Sequence, residues 1–89
     1  MIHVDIVSQA GRMWEGTAES VVVTTETGET GILKNHQPLL ALLVAGQVRV
    51  TDLDGTKHVF DCGEGFVTVD DNQVIIAVDA AHEVASSAA

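Results

Sequence analysis

The stretch Gly46-Gln47-Val48-Arg49-Val50-Thr51-Asp52-Leu53-Asp54-Gly55-Thr56-Lys57-His58-Val59-Phe60-Asp61-Cys62 decides the fold class. Val48 and Val50 point one way, and Gln47, Arg49 and Thr51 the other. This is the period of two that marks a half-buried β-strand. Asp54-Gly55 follows, two residues that tolerate positive φ and favour a hairpin turn. Lys57 to Cys62 then supplies the returning strand.

The same period extends outward from this hairpin. Near the start, Ile2, Val4 and Ile6 alternate with His3 and Asp5. Val21 and Val23 lie in Ala18 to Thr25, a segment dense in β-branched residues. Phe66 to Val69 and Val74 to Val78 read as a second hairpin around Asp71-Asn72. The run Val74-Ile75-Ile76-Ala77-Val78 is apolar at every position, which predicts a strand buried on both faces. Leu39-Leu40-Ala41-Leu42-Leu43 fits helix or strand by pattern alone. Pro38 before it and Gly46 after it leave little room for a helix, so extended structure is expected. After Asp79 the composition weakens to Ala-Ala-His-Glu-Val-Ala-Ser-Ser-Ala-Ala, and residues 81–89 are expected to form a flexible tail. Short strands between closely spaced turns imply an all-β sandwich or small barrel, one domain over residues 1–80.

The chain has 89 residues, of which 46% are hydrophobic, which is the composition of a folded domain and not of a disordered one. A domain of this size hides only roughly 60–65% of the surface of its unfolded chain, so its core is small. The formal net charge is −9, with Arg12, Lys34, Arg49 and Lys57 the only strong bases. No basic cluster exists to hold a phosphate backbone, so nucleic acid is not expected as a partner. Direct binding to an anionic lipid surface is disfavoured for the same reason. No segment approaches the roughly 20 apolar residues needed to span a bilayer as a helix, and the N-terminus shows no signal pattern. Cys62, the single cysteine, has no partner within the chain and fits a reducing compartment. It reads as a small core residue beside Phe60.

The candidate catalytic groups form no recognisable constellation. His3, His36, His58 and His82 share no metal-site spacing. There is no nucleophile elbow, phosphate-binding loop or dinucleotide fingerprint. Gly63-Glu64-Gly65 lies between strands and reads as a bend or bulge. Asp70-Asp71 sits in a turn, where aspartate serves the backbone. No catalytic residue, metal site or cofactor is expected. One segment, Glu26 to Leu40, reads as a long turn-rich excursion carrying two glycines, a proline, a histidine and charges. Such a loop serves either as plain connection or as a recognition surface on a rigid scaffold.

Within that excursion, Gly28-Glu29-Thr30-Gly31-Ile32 and His36-Gln37-Pro38-Leu39-Leu40 resemble the Gly-Glu-Leu-Gly-Ile and Gly-His-Ala-Pro-Leu-Leu loop of F-type ATP synthase epsilon subunits. Val4 to Ser8 with Met13-Trp14-Glu15-Gly16 resembles that family's opening strand and aromatic-x-Gly turn. Gly46-Gln47-Val48-Arg49-Val50, Gly63-Glu64-Gly65-Phe66 with Val69, and Val74 to Val78 with Asp79 resemble its later strands in order. The resemblance covers about residues 2–80. Thr30, Lys34, Asn35 and Glu64 depart from the family pattern.

The resemblance implies a sandwich of two roughly five-stranded sheets. It implies a non-catalytic central-stalk subunit that binds the gamma subunit and the c-ring and couples proton translocation to ATP synthesis. Its place would be peripheral, at the cytoplasmic face of a bacterial plasma membrane, without membrane insertion. Carried over by position, Glu29, Gly31 and His36 would face the c-ring, with Gly28 and Gly31 allowing unusual backbone shapes. Leu39, Leu40 and Leu42 would face gamma. The family's ATPase inhibition and ATP binding reside in a helical hairpin beyond the sandwich, so neither is expected of these residues. Two other readings compete: a stand-alone sandwich binding a small ligand or protein, and a small enzyme pairing His36 with Glu29.

Overall fold

The computed structural model describes residues 1–87 and contains nine strands among them: β1 (Ile2–Ser8), β2 (Gly11–Thr25), β3 (Gly28–Leu33), β4 (Leu39–Leu43), β5 (Gly46–Asp52), β6 (Lys57–Cys62), β7 (Gly65–Asp70), β8 (Gln73–Val78) and β9 (Ala81–Ser87). They pack as an all-β sandwich of two layers. The first layer runs from the N-terminal half of β2 through β1, β8 and β7 to β4. The second runs from β3 through the C-terminal half of β2, then β5 and β6, to β9. All pairs are antiparallel except β1 with β8. Because β2 belongs to both layers, one hydrogen-bonded network links all nine strands.

The crossing is made by a bulge. Ala18 pairs with Asp52 and Ser20 with Thr51, so Glu19 is an extra residue on β2. Such an insertion bends a strand and shifts its side-chain phase by one. Ala18 is buried before it, and Val21 and Val23 after it, so both halves of β2 keep their apolar side chains inward. The segment around Trp14-Glu15-Gly16, expected as a turn, lies instead within this 15-residue strand. The turn occurs earlier, where Gly11 takes φ 124°. Gly16 leaves room for the Trp14 indole, whose ring lies against its Cα.

The core follows the alternation. Ile2, Val4 and Ile6, then Val48 and Val50, then Phe60 and Cys62, then Val67 and Val69 are all buried. Burial, with the nearby charge of Asp61, pushes the Cys62 thiol up to about 11, which makes it an unreactive core residue. Leu39–Leu43 is extended, as the flanking Pro38 and Gly46 imply.

Three expectations need correction. The excursion from Glu26 to Leu40 is not one loop, because Gly28–Leu33 pairs along β2 and buries Ile32. Val74–Val78 is buried on one side only, and Ile75 is 45% exposed. Residues 81–87 do not form a tail. They pair with β6 from Lys57 to Cys62, around a register shift at Val59/Phe60. Alanine and serine are poor strand formers, but β6 offers an open row of backbone donors and acceptors, and satisfying those outweighs propensity. Residues 88–89 of the expected tail lie outside the described residues.

Candidate interaction surfaces

Hairpin geometry positions the loop that carries His36. Asp71 and Asn72 take φ 50° and 60° at the centre of the β7–β8 turn. This is the type I′ pattern matched to strand twist. The Asn72 side chain then accepts a 2.6 Å hydrogen bond from the backbone N–H of Asn35, which itself takes φ 63°. The Asn72 carbonyl accepts from the N–H of His3 at 2.9 Å. The β3–β4 loop is thus tied to a neighbouring turn and to β1. His36 closes a turn onto the Leu33 carbonyl at 3.3 Å, and its Nδ1 lies 2.7 Å from the Gln37 carbonyl oxygen.

Glu29 lies on β3, not on a loop. It accepts a 2.8 Å hydrogen bond from the Arg49 guanidinium. That hydrogen bond, with the charge behind it, lowers the Glu29 pKa and raises that of Arg49. Gly31 is also in the strand, opposite Val22. Only Gly28, at φ 119°, uses the conformational freedom expected of both glycines. Glu29 and His36 are not brought together. Four residues of extended chain, roughly 13 Å, separate Glu29 from Leu33 at the end of the strand. Each side chain has its own partner, so a His36–Glu29 catalytic pair does not exist in this geometry. Glu29 and Gly31 lie on β3 and His36 in the loop that follows it; β3 is an edge strand whose other side is unpaired among the described residues.

The outer face of the first sheet has a different character. Leu40 and Leu42 are each 73% exposed, and Phe66 and Ile75 are 43% and 45% exposed. Register places them side by side: Leu42 opposite Phe66, Leu40 opposite Thr68, and Thr68 opposite Ile75. Leu39, expected with them, alternates inward, faces Val69 and packs against the core. Phe66 and Ile75 were not anticipated. Their signal was present in the sequence, since each is a large apolar residue out of phase with the buried positions of its strand. The patch continues into a charged zone on β1 and β2. Arg12 donates two hydrogen bonds to Asp5, at 2.9 and 3.2 Å, and lies 3.5 Å from Glu15, while His3 Nε2 is 3.0 Å from Glu15. The hydrogen bond and charge of Asp5 raise the Arg12 pKa. An apolar area flanked by charges has the anatomy of a protein-binding surface.

Residues 1–84 match the family described as ATP synthase, Delta/Epsilon chain, beta-sandwich domain. The chain belongs to this family. As a delta/epsilon-type sandwich it is 37% identical over 86 residues to the ATP synthase epsilon chain of Campylobacter fetus subsp. fetus, covering 97% of this chain and 67% of the relative. It is 43% identical to the epsilon chain of Dichelobacter nodosus, covering 93% and 58%, and 40% identical to that of Micrococcus luteus, covering 90% and 88%. Against the Dichelobacter relative, then, this sandwich spans little more than half the length.

Two solved structures share the fold of this delta/epsilon-type sandwich. A chain in the cryo-EM structure of the Euglena gracilis mitochondrial ATP synthase (OSCP/F1/c-ring, rotational state 1) superposes with a TM-score of 0.87 at 24% identity, covering 92% of this chain and 52% of that one. A chain in the central stalk and c-ring of the Tetrahymena thermophila enzyme gives 0.75 at 17% identity, covering 91% and 65%.

Proposed function

We propose that this sandwich is a non-catalytic rotor part of an F-type ATP synthase, helping to couple proton translocation to ATP synthesis. It docks on the gamma subunit through the outer face of its first sheet. It meets the polar loops of the c-ring along β3 and the loop that follows, with Glu29, Gly31 and His36 on that side. It works peripherally, at the cytoplasmic face of a bacterial plasma membrane, held there by its partners.

The observation that supports this reading is the exposed group Leu40, Leu42, Phe66 and Ile75. A small monomer gains nothing from leaving four large apolar side chains together in water. Covering them by a partner stabilises a complex by about 25 cal/mol for each Å² of apolar surface taken out of water, before association costs.

The test is co-elution with gamma-containing catalytic complex stripped of its epsilon subunit. The wild-type chain is expected to co-elute stoichiometrically at micromolar concentration. Leu42→Asp is expected to stay free while melting within about 0.5 kcal/mol of wild type, because the site is exposed. Glu29→Gln and His36→Ala are expected to dock normally and to lower proton pumping in the reconstituted enzyme. A wild-type chain that stays free, or a Leu42→Asp variant that docks as well as wild type, overturns the assignment of this face.

A further inference from the structure

His58 belongs to neither surface. It pairs with Val50 on β5 and Ser86 on β9, and alternation turns its side chain inward. There it meets Trp14 of β2 at the seam between the sheets, with ring centroids 5.3 Å apart and planes tilted by 44°. Nε2 lies 3.2 Å from Oδ2 of Asp52, at the end of β5, and Nδ1 lies 3.1 Å from Oε2 of Glu83, on β9. The Ser86 hydroxyl oxygen is 3.5 Å from Nδ1. Among the described residues, Asp52 and Glu83 are the charged groups that face the ring. β2 contributes only the uncharged indole.

A neutral imidazole has one N–H donor and one lone pair. With a carboxylate oxygen in hydrogen-bonding range of each nitrogen, the neutral ring satisfies one carboxylate and turns its lone pair on the other. Only the imidazolium donates to both. Partial burial works against the charged form, but hydrogen bonds and attraction from Glu83 and Asp52 outweigh it. The net effect raises the His58 pKa above its ordinary 6.5.

We propose that His58 is a proton-operated clasp that fixes the C-terminal strand β9 to the sandwich. Protonated, it ties Glu83 of β9 to Asp52 of β5 beneath Trp14. Deprotonated, it lets go of one carboxylate and loosens β9. The direction follows from linkage. With the folded pKa raised, the stabilisation is fully present below the unfolded value near 6.5 and is lost as pH rises through the folded value.

Trp14 is the only tryptophan, so its fluorescence, quenched by a charged imidazolium in contact, reports the state of the clasp. Fluorescence and amide hydrogen exchange of His82 to Ser86 are recorded from about pH 5 to about pH 9, for wild type, His58→Gln and Glu83→Gln. Wild-type fluorescence is expected to rise with a midpoint above 6.5. Protection of β9, corrected for intrinsic exchange, is expected to fall severalfold over the same range. Glu83→Gln lowers the midpoint, and His58→Gln removes both transitions. A midpoint at or below 6.5, β9 protection that ignores the fluorescence titration, or an unchanged midpoint in Glu83→Gln overturns the clasp. If His58→Gln does not fold, Glu83→Gln decides alone, since it removes an exposed charge and keeps the shape of the side chain.

Discussion

Three glycines that look alike in the sequence stand in three different settings. Gly65 lies where β7 passes so close to β8 that an added Cβ meets the Ala77 carbonyl oxygen and the Val78 Cα, both backbone. Neither atom can give way without breaking the ladder. Gly65→Ala is therefore expected to cost about 1–3 kcal/mol, the usual penalty of overpacking, read as a lower midpoint in urea. The atoms nearest an added Cβ at Gly63 belong to the Asp79 carboxylate, a side chain that can swing aside. Gly31 has open space around the missing Cβ and an ordinary extended backbone. Gly31→Ala is expected to be neutral or to stabilise by about 0.4–1 kcal/mol, through a less disordered unfolded state. Any loss of coupling in that variant would then come from a partner contact and not from misfolding. None of this was legible from the residues, because a glycine in sequence does not say whether its φ, its neighbours or nothing at all requires it.

At the scale of elements, alternation was a reliable guide where one face is buried and a poor one where both faces are apolar. Ile2, Val4 and Ile6, and Val48 with Val50, went to the core as their period dictates. In Val74–Val78 the same residue types serve two surfaces: β7 and β1 flank the strand, and Ile75 points to the face that no other strand among the described residues covers. Leu39 and Leu40 separate for the same reason: adjacent positions on a pleat face opposite sides. β3 was obscured by its glycines, and β9 by weak composition, since tertiary pairing with β2 and β6 supplies what local preference lacks. Of the exposed apolar face, the leucines at 40 and 42 were readable and Phe66 and Ile75 were overlooked, and the proposed His58 clasp was invisible because its partners lie 6 and 25 residues away. The pairing of β9 has a measurable worth. Each ladder hydrogen bond contributes about 0.5–1.5 kcal/mol net, partly offset by the entropy of ordering the strand. Ending the chain at Asp79 is expected to lower stability by about 1–3 kcal/mol in urea melts and to leave β6 as an exposed edge. No change in the melt would mean that β9 contributes nothing.

For the whole molecule, the shared strand β2 forbids the two sheets from behaving as separate units. Loss of the second sheet strips β2 of β3 and β5, and the first sheet then loses the support of β1's neighbour. Urea unfolding is accordingly expected to be two-state. Trp14 fluorescence at the seam, amide signals from β7 and β8, and amide signals from β5 and β6 should share one midpoint. Probe-dependent midpoints would show that the layers come apart in sequence. The same strand has a mechanical meaning. A torque delivered to the outer face of the first sheet and resisted along β3 loads the two stacked layers in shear, and side-chain packing alone resists sliding poorly because its contacts are weak and undirected. Here the layers are joined at Glu19 by unbroken main chain, so twist passes through covalent bonds instead of slipping at the greasy interface between them.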